Sequence, residues 1–240
     1  MILCGVASGM VARQINKGIS SSMKEAERRQ KIENLFGQQL SVEVAEKMLE
    51  NNGMLESKKS NISVMFIDIR NFSIFAASRS PEEIVQYQNS FFTIVINAVS
   101  KHKGIVHQFL GDGCMVTFGA PISLDNPSRN AVDAAVTLRR SLQEEVKKGN
   151  IADTTIGVGI HCGDAVTGNI GTDTRQQYSV TGNVVIIAAR VEKLNKQLHS
   201  EILISGSVFN NITAFPYNSQ CMGEIQVKGF EEPITIHKLA

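Results

Sequence analysis

The segment Asn61-Ile-Ser-Val-Met-Phe-Ile-Asp-Ile-Arg-Asn-Phe72 does most to limit what this 240-residue chain can fold into. A run this apolar, bounded by polar residues, is the pattern of a buried strand, yet it closes on a carboxylate, Asp68. A second apolar stretch, Phe109-Leu-Gly-Asp-Gly-Cys-Met-Val-Thr-Phe118, is broken by Gly111-Asp112-Gly113, the chemistry of a hairpin turn. Asp68 and Asp112 lie 44 positions apart in sequence. Adjacent strands ending on them could hold one or two hard divalent cations, because magnesium and manganese take oxygen ligands. Taken singly, each aspartate is equally an ordinary strand-end or turn residue, since Asp-Gly is common turn chemistry.

The elements that follow the first strand are punctuated clearly. Ser80-Pro-Glu-Glu83 supplies an N-cap, a first-turn proline and a glutamate at the third helical position, so a helix is expected to about Lys103, stopped by Gly104. Residues 105–109 and 114–118 form the two arms of the hairpin. Asn126-Pro127 opens a second helix to about Lys148, stopped by Gly149. Ile156 to His161 alternates as a strand, and its two glycines mark either close approach of another backbone or relief of crowding. A strand over 177–180, a helix over 184–198, a strand over 201–205 and a closing hairpin through Gly229–Pro233 complete the pattern. Strands alternating with helices, plus antiparallel hairpins, define an α+β sheet, expected to carry its helices on one face.

Upstream, residues 1–19 begin with an apolar run too short to cross a bilayer, which takes about 20 residues. The run is either the end of a membrane span or the start of an amphipathic helix, and no basic region precedes it as in a secretory signal. Residues 20–60 are expected to be largely helical. Met23, Ala26, Ile32, Leu35 and Leu40 fall at loosely heptad spacing, which fits either a signalling coiled coil or a helix packed on its own domain. Residues 61–240 form the main domain.

Composition narrows the class. With 42% hydrophobic and 20% charged residues the chain can bury one sizeable core. Its 24 basic and 23 acidic residues leave a net charge of +1, which argues against a nucleic-acid partner. Cys4, Cys114, Cys162 and Cys221 show neither paired nor metal-ligand spacing, as expected of a reducing cytosol. No histidine and carboxylate spacing suggests zinc. The stretch from Gly157 to Gly171 is rich in glycine but lacks the lysine of a P-loop. His161 is expected to be structural, and His102 and His107 to be surface residues near a turn.

Four pieces occur in order: Phe66-x-Asp68-Ile69-x-x-Phe72-Ser73, Gly111-Asp112-Gly113, Gly157-Val-Gly-Ile-His-Cys-Gly-Asp-Ala-Val-Thr-Gly-Asn-Ile-Gly171, and Ala188-Ala-Arg190. Together they resemble the class III nucleotide cyclases over residues 62–240. The resemblance implies a ferredoxin-like core and a homodimer with two sites between its protomers. It implies conversion of ATP or GTP to the 3′,5′-cyclic nucleotide and pyrophosphate. Asp68, Asp112 and the Ile69 carbonyl would hold two Mg2+ or Mn2+ ions. Arg190 would stabilise the transition state, Arg175 and Lys228 would bind the triphosphate, and Gln108 and Ser179 would face the base. Residues 36–49 resemble the stretch that often precedes the family's first strand, and the resemblance implies that the helix-prone segment from Ser20 to about Glu50 couples an upstream sensor to the catalytic pair; with the cysteine pattern, the expected location is cytoplasmic, whether alone or as part of a membrane protein.

Three positions depart from the family pattern. Gln108 stands where adenylyl cyclases usually have lysine and guanylyl cyclases tend to have glutamate; its amide can donate or accept, so it suits either purine. Ser179 stands where aspartate or threonine is usual, and its hydroxyl can accept from the adenine amino group, which favours ATP over GTP. Ile186 replaces the asparagine that orients the ribose. It is four residues before Arg190 and so shares its helix face, where an apolar side chain cannot make the polar contact. Either another donor or a water replaces the asparagine, or the chain is a slow or catalytically inert cyclase-fold module. The retained aspartates and Arg190 favour a weakened or regulated enzyme. The turn signature of the diguanylate cyclases is absent.

Overall fold

A computed structural model describes residues 57–172 and 175–239. The apolar N-terminal segment and most of the expected signalling helix lie outside the described residues. The first strand, β1 (Lys58–Ile69), starts three residues ahead of the expected boundary at 61. Then come α1 (Phe72–Ala76), α2 (Pro81–Lys101), β2 (Ile105–Leu110), β3 (Gly113–Phe118) and α3 (Pro127–Lys147). The second half contains β4 (Ile156–Thr172), β5 (Arg175–Thr181), α4 (Asn183–Gln197), β6 (Ile202–Ser205), α5 (Gly206–Asn210), β7 (Ser219–Ile225) and β8 (Ile234–Leu239). Among the described residues no helix is long and apolar enough to cross a membrane.

The strands form one sheet in the order β2-β3-β1-β4-β6-β8-β7, with β5 paired to the far half of β4. The described pairings are antiparallel except β4 with β6. This is the expected antiparallel-rich α+β architecture. The sequence punctuation is seen as chemistry. Ser80 Oγ accepts from the Glu83 amide at 3.2 Å while Glu83 Oε2 accepts from the Ser80 amide at 2.8 Å, a reciprocal cap that starts α2. Past the end of α2 the Gly104 amide donates to the Val99 carbonyl at 3.0 Å. Asn126 Oδ1 accepts from the Arg129 amide at 2.8 Å and starts α3.

The helices do not all lie on one face, and β1 gives the reason. Met65, Ile67 and Ile69 point to one side, against Phe91 and Val95 of α2 and Ala135 and Leu138 of α3. Ile62 and Val64 point to the other, against Val184 and Ala188 of α4. A strand apolar at successive positions cannot leave either face in water. Burying one side chain such as Ile67 or Phe91 contributes about 1.5 to 3 kcal/mol, so both helix layers are firmly held to β1.

β4 is also longer than its alternating pattern suggested. It continues from His161 to Thr172: Val166 and Thr167 still pair with Lys59 and Lys58 of β1, and residues 166–172 pair with β5, from Val166 with Thr181 to Thr172 with Arg175. Thr167-Gly168-Asn169 has the composition of a loop, which hid this extension.

Candidate active site

Asp68 is the penultimate residue of β1 and lies opposite Gly113 of β3; Asp112, in the tight turn before Gly113, is therefore its immediate neighbour. Both turn glycines are required. Gly111 has φ +71°, a conformation few L side chains adopt, and a Cβ at Gly113 would collide with the Ile67 carbonyl. Gln88 Nε2 donates to the Gly111 carbonyl at 3.0 Å, anchoring the turn to α2. Burial raises the pKa of Asp68, and the charge of Asp112 raises it further, while Arg70 and Lys193 pull it down. The two aspartates line a cleft of about 680 Å³ together with Ile69, Asn71, Ser73 and Thr155.

Two functional candidates here were not anticipated from sequence. Arg70 Nη1 lies 3.6 Å from Asp68 Oδ2, and its Nη2 is paired with Glu192 Oε1 and lies 3.4 Å from the Glu192 carbonyl. Glu192 is buried on α4, two residues beyond Arg190. Burial raises its pKa while Arg70 opposes the rise. The glycines of β4 account for both positions. A Cβ at Gly157 would overlap the Arg70 guanidinium, and a Cβ at Gly159 would collide with the Glu192 backbone. The legible signal was Gly-Val-Gly, two missing side chains on one strand face.

A second set of expected residues lies elsewhere. Ile186, Arg190 and Lys228 line a cleft of about 970 Å³ with Asn183, His161 and Ser207. The two clefts share no lining residue. Among the described residues no carboxylate pairs with Arg190 or Lys228. Ile186 is 49% exposed on the same helix face as Arg190, so the position of the usual asparagine is open and apolar. Asn183, one turn earlier, is an exposed amide in the same cleft.

The base-facing candidates fall on β2 and β5. Gln108 is exposed beside a bulge in β2, and Ser179 is half-buried opposite Gly168. No ladder joins the two strands, but the His107 and Tyr178 rings are 5.6 Å apart, so these positions belong to one region. His107 is thus not the surface residue expected; burial lowers its pKa. Nor is His102, whose Nε2 is 2.8 Å from Thr137 Oγ1. Arg175 opens β5 opposite Thr172.

His161 is held as a structural group, with Nδ1 2.8 Å from Ser205 Oγ and 3.3 Å from Ser207 Oγ. Burial pushes its pKa down to about 4. The unfolded chain therefore takes up a proton on this residue before the folded one does, and folding should weaken as pH falls from the usual histidine value towards 4. Thermal midpoints measured across that range should decline in the native protein and decline less in His161→Gln.

Among the described residues no cluster of three or more His, Cys, Asp or Glu side chains could hold a metal on its own. Asp68, Asp112 and the Ile69 carbonyl are the expected donors, and all three residues line the aspartate cleft. That set fits magnesium or manganese, which keep water and take phosphate oxygens as further ligands, and does not fit a closed zinc site.

An antiparallel-rich sheet with paired aspartates at the ends of neighbouring strands, and an arginine helix on the opposite layer, is the architecture of a nucleotide cyclase domain. Family comparison agrees: the chain belongs to the adenylate and guanylate cyclase catalytic domain family, whose model matches residues 54–240. The adenylyl cyclase CyaB from P. aeruginosa is 28% identical, with a TM-score of 0.68 over 78% of this chain and 96% of that one. The guanylyl cyclase Cya2 is also 28% identical, with a TM-score of 0.68 over 78% of this chain and 94% of that one. The uncharacterized protein Rv1320c of Mycobacterium tuberculosis H37Rv is 28% identical over 232 residues, 96% of this chain. The chain spans only 40% of the length of that relative.

Proposed function

We propose that this domain is a purine nucleotide cyclase, acting on ATP in preference to GTP, with two sites formed between the protomers of a homodimer. One observation carries the reading: the aspartate pair and Arg190 line separate clefts of one chain, so a second copy is needed to bring an aspartate cleft against an arginine cleft. A homodimer with two-fold symmetry does this twice.

Cyclisation joins the ribose O3′ to the α-phosphorus and breaks its bond to the bridging oxygen of the departing pyrophosphate, which leaves in line. Two bound Mg2+ or Mn2+ ions would supply a lowered pKa at the 3′-hydroxyl and neutralisation of phosphate charge. Asp68, Asp112 and the Ile69 carbonyl are the groups that would hold them. Arg190 would pair two phosphate oxygens with its planar fork, which a lysine cannot reproduce. Lys228, in the Arg190 cleft, and Arg175 would bind the triphosphate tail. Gln108 and Ser179 would hydrogen-bond the purine edge. With Ile186 in place of an amide, one ribose contact is missing. Loss of one such positioned group typically costs about a hundredfold in rate, roughly 3 kcal/mol, rather than all activity.

The domain would work in the cytoplasm, with residues 1–19 and 20–60 linking it to an upstream sensor or membrane domain. Purified protein incubated with manganese and each triphosphate should release cyclic AMP faster than cyclic GMP; no cyclic product from either would refute the reading. Gln108→Lys should raise the ATP-to-GTP ratio of kcat/KM, and an unchanged ratio would remove Gln108 from base selection. The open, apolar position at Ile186 favours one alternative, a dimerisation or regulatory module that binds nucleotide without turnover.

A further inference from the structure

We propose that Arg70 is a positioning residue for the metal-binding aspartate: Glu192 holds its guanidinium in the slot left by Gly157, where it orients the Asp68 carboxylate and ties it to α4. The inference rests on the cyclase reading for the role of Asp68 and adds a control on it.

Three features converge on this assignment. Arg70 and Glu192 are largely buried, with side chains 19% and 9% exposed. A buried ion pair adds little net stability, because desolvation offsets most of the attraction, so stability alone does not account for it. The slot is built for the side chain, since any residue larger than glycine at 157 would occupy the guanidinium's place. The far end of the bridge is also fixed. Gly159 lets the Glu192 backbone sit directly on β4, and Asn195 Nδ2 donates at 2.9 Å to both the Val158 and the Glu192 carbonyls. Asp68 is thereby referenced to the backbone of the helix that carries Arg190, rather than to a mobile side chain.

The consequence is that the aspartate end of one site and the arginine end of the other are fastened within a single protomer. A shift of α4 would move Arg190 and turn Asp68 together. The bridge needs a group that reaches two carboxylates at once: Nη2 pairs with Glu192 while Nη1 lies within ion-pair range of Asp68 at 3.6 Å, whereas an ammonium offers one point of charge.

The sign of the effect on metal binding separates positioning from simple charge. A cation beside Asp68 repels an arriving divalent ion, so an Arg70 acting only by its charge would weaken metal binding. Arg70→Lys keeps the charge and removes the fork. Manganese binding, read from the free-ion electron paramagnetic resonance signal with a non-hydrolysable ATP analogue present, should be about tenfold weaker in Arg70→Lys, within the range seen when groups that orient metal ligands are lost. Gly157→Ala, which alters no charge, should weaken binding in the same direction by displacing the guanidinium. Glu192→Gln should also weaken it, and the double variant Arg70→Lys/Glu192→Gln should be little worse than Arg70→Lys alone, because both changes break one bridge. Cooperative thermal unfolding of each variant shows that the fold is retained. Native-like manganese affinity in folded Arg70→Lys or in folded Gly157→Ala overturns the assignment while leaving the cyclase reading intact. A wild-type protein that makes cyclic nucleotide yet shows no such losses fails here only, whereas one that binds no manganese fails on both counts.

Discussion

Asp68→Ala should reduce cyclic nucleotide formation below detection, by at least about a thousandfold, because Asp68 and Asp112 are the carboxylates brought side by side at neighbouring strand ends and one alone cannot fix a metal pair. The loss should not come from unfolding, and Asp68→Asn gives the sharper test. Burial and the neighbouring Asp112 raise the pKa of Asp68, so its ionised form is disfavoured in the folded protein. A carboxyl with a raised folded pKa favours folding at low pH, and that contribution is lost as pH climbs past the folded value. At neutral pH, replacing the charge with a neutral amide of the same shape should raise the thermal midpoint while activity disappears. Activity that survives in Asp68→Asn, or activity lost together with the fold, would contradict this placement. The opposed changes are the mark of a group kept for chemistry at a cost in stability.

What sequence could reveal here follows the range of the interactions involved. Ser80, Pro81 and Glu83 form a local device whose partners are within three residues, so the start of α2 was legible before any fold was known. The same holds for Asn126 at α3 and for Gly111-Asp112-Gly113, where the turn chemistry lies within the motif itself. The nearness of Asp68 to Asp112 was inferable because each closes a strand and the strands are neighbours. Placement of helices on both faces is also encoded, in the unbroken apolar run from Val64 to Ile67, whereas the order of strands, helices and hairpins alone suggests helices on one face. Long-range packing was not legible. Gly157 and Gly159 fit either close approach to β4 or relief of crowding, and only the fold shows that the visitors are the Arg70 guanidinium and the Glu192 backbone. The extension of β4 through Thr167-Gly168-Asn169 was hidden because its pairing with β5 overrides a local composition that favours loops. Nor does spacing in sequence show that Arg190 and Asp68 line separate clefts, since α4 touches both: Glu192 faces the aspartates while Ile186 and Arg190 face away.

That separation leads to the second large effect. Arg190→Ala should lower kcat by about a hundredfold to a thousandfold, the usual cost of removing a group that meets charge developing in the transition state. Manganese binding should be untouched, because Arg190 does not line the aspartate cleft. Arg190→Ala and Asp68→Ala are then defective in opposite halves of a shared site. In the proposed two-fold dimer every site would take its aspartates from one protomer and its arginine from the other. A mixed dimer therefore has one site carrying both lesions and one carrying neither. Mixing the two inactive proteins in equal amounts and allowing subunits to exchange gives half mixed dimers, so activity should return to about a quarter of the wild-type level. Each protein alone, at the same total concentration, should remain inactive. If exchange is demonstrated by differently tagged subunits and activity does not return, aspartate and arginine do not meet across protomers, and the shared-site arrangement is wrong even if each variant is inactive alone. If a single protomer instead held a complete site, each variant would lose that site outright and mixing could restore nothing. Recovery therefore reports on the location of the chemistry, which loss of function in either variant alone cannot do.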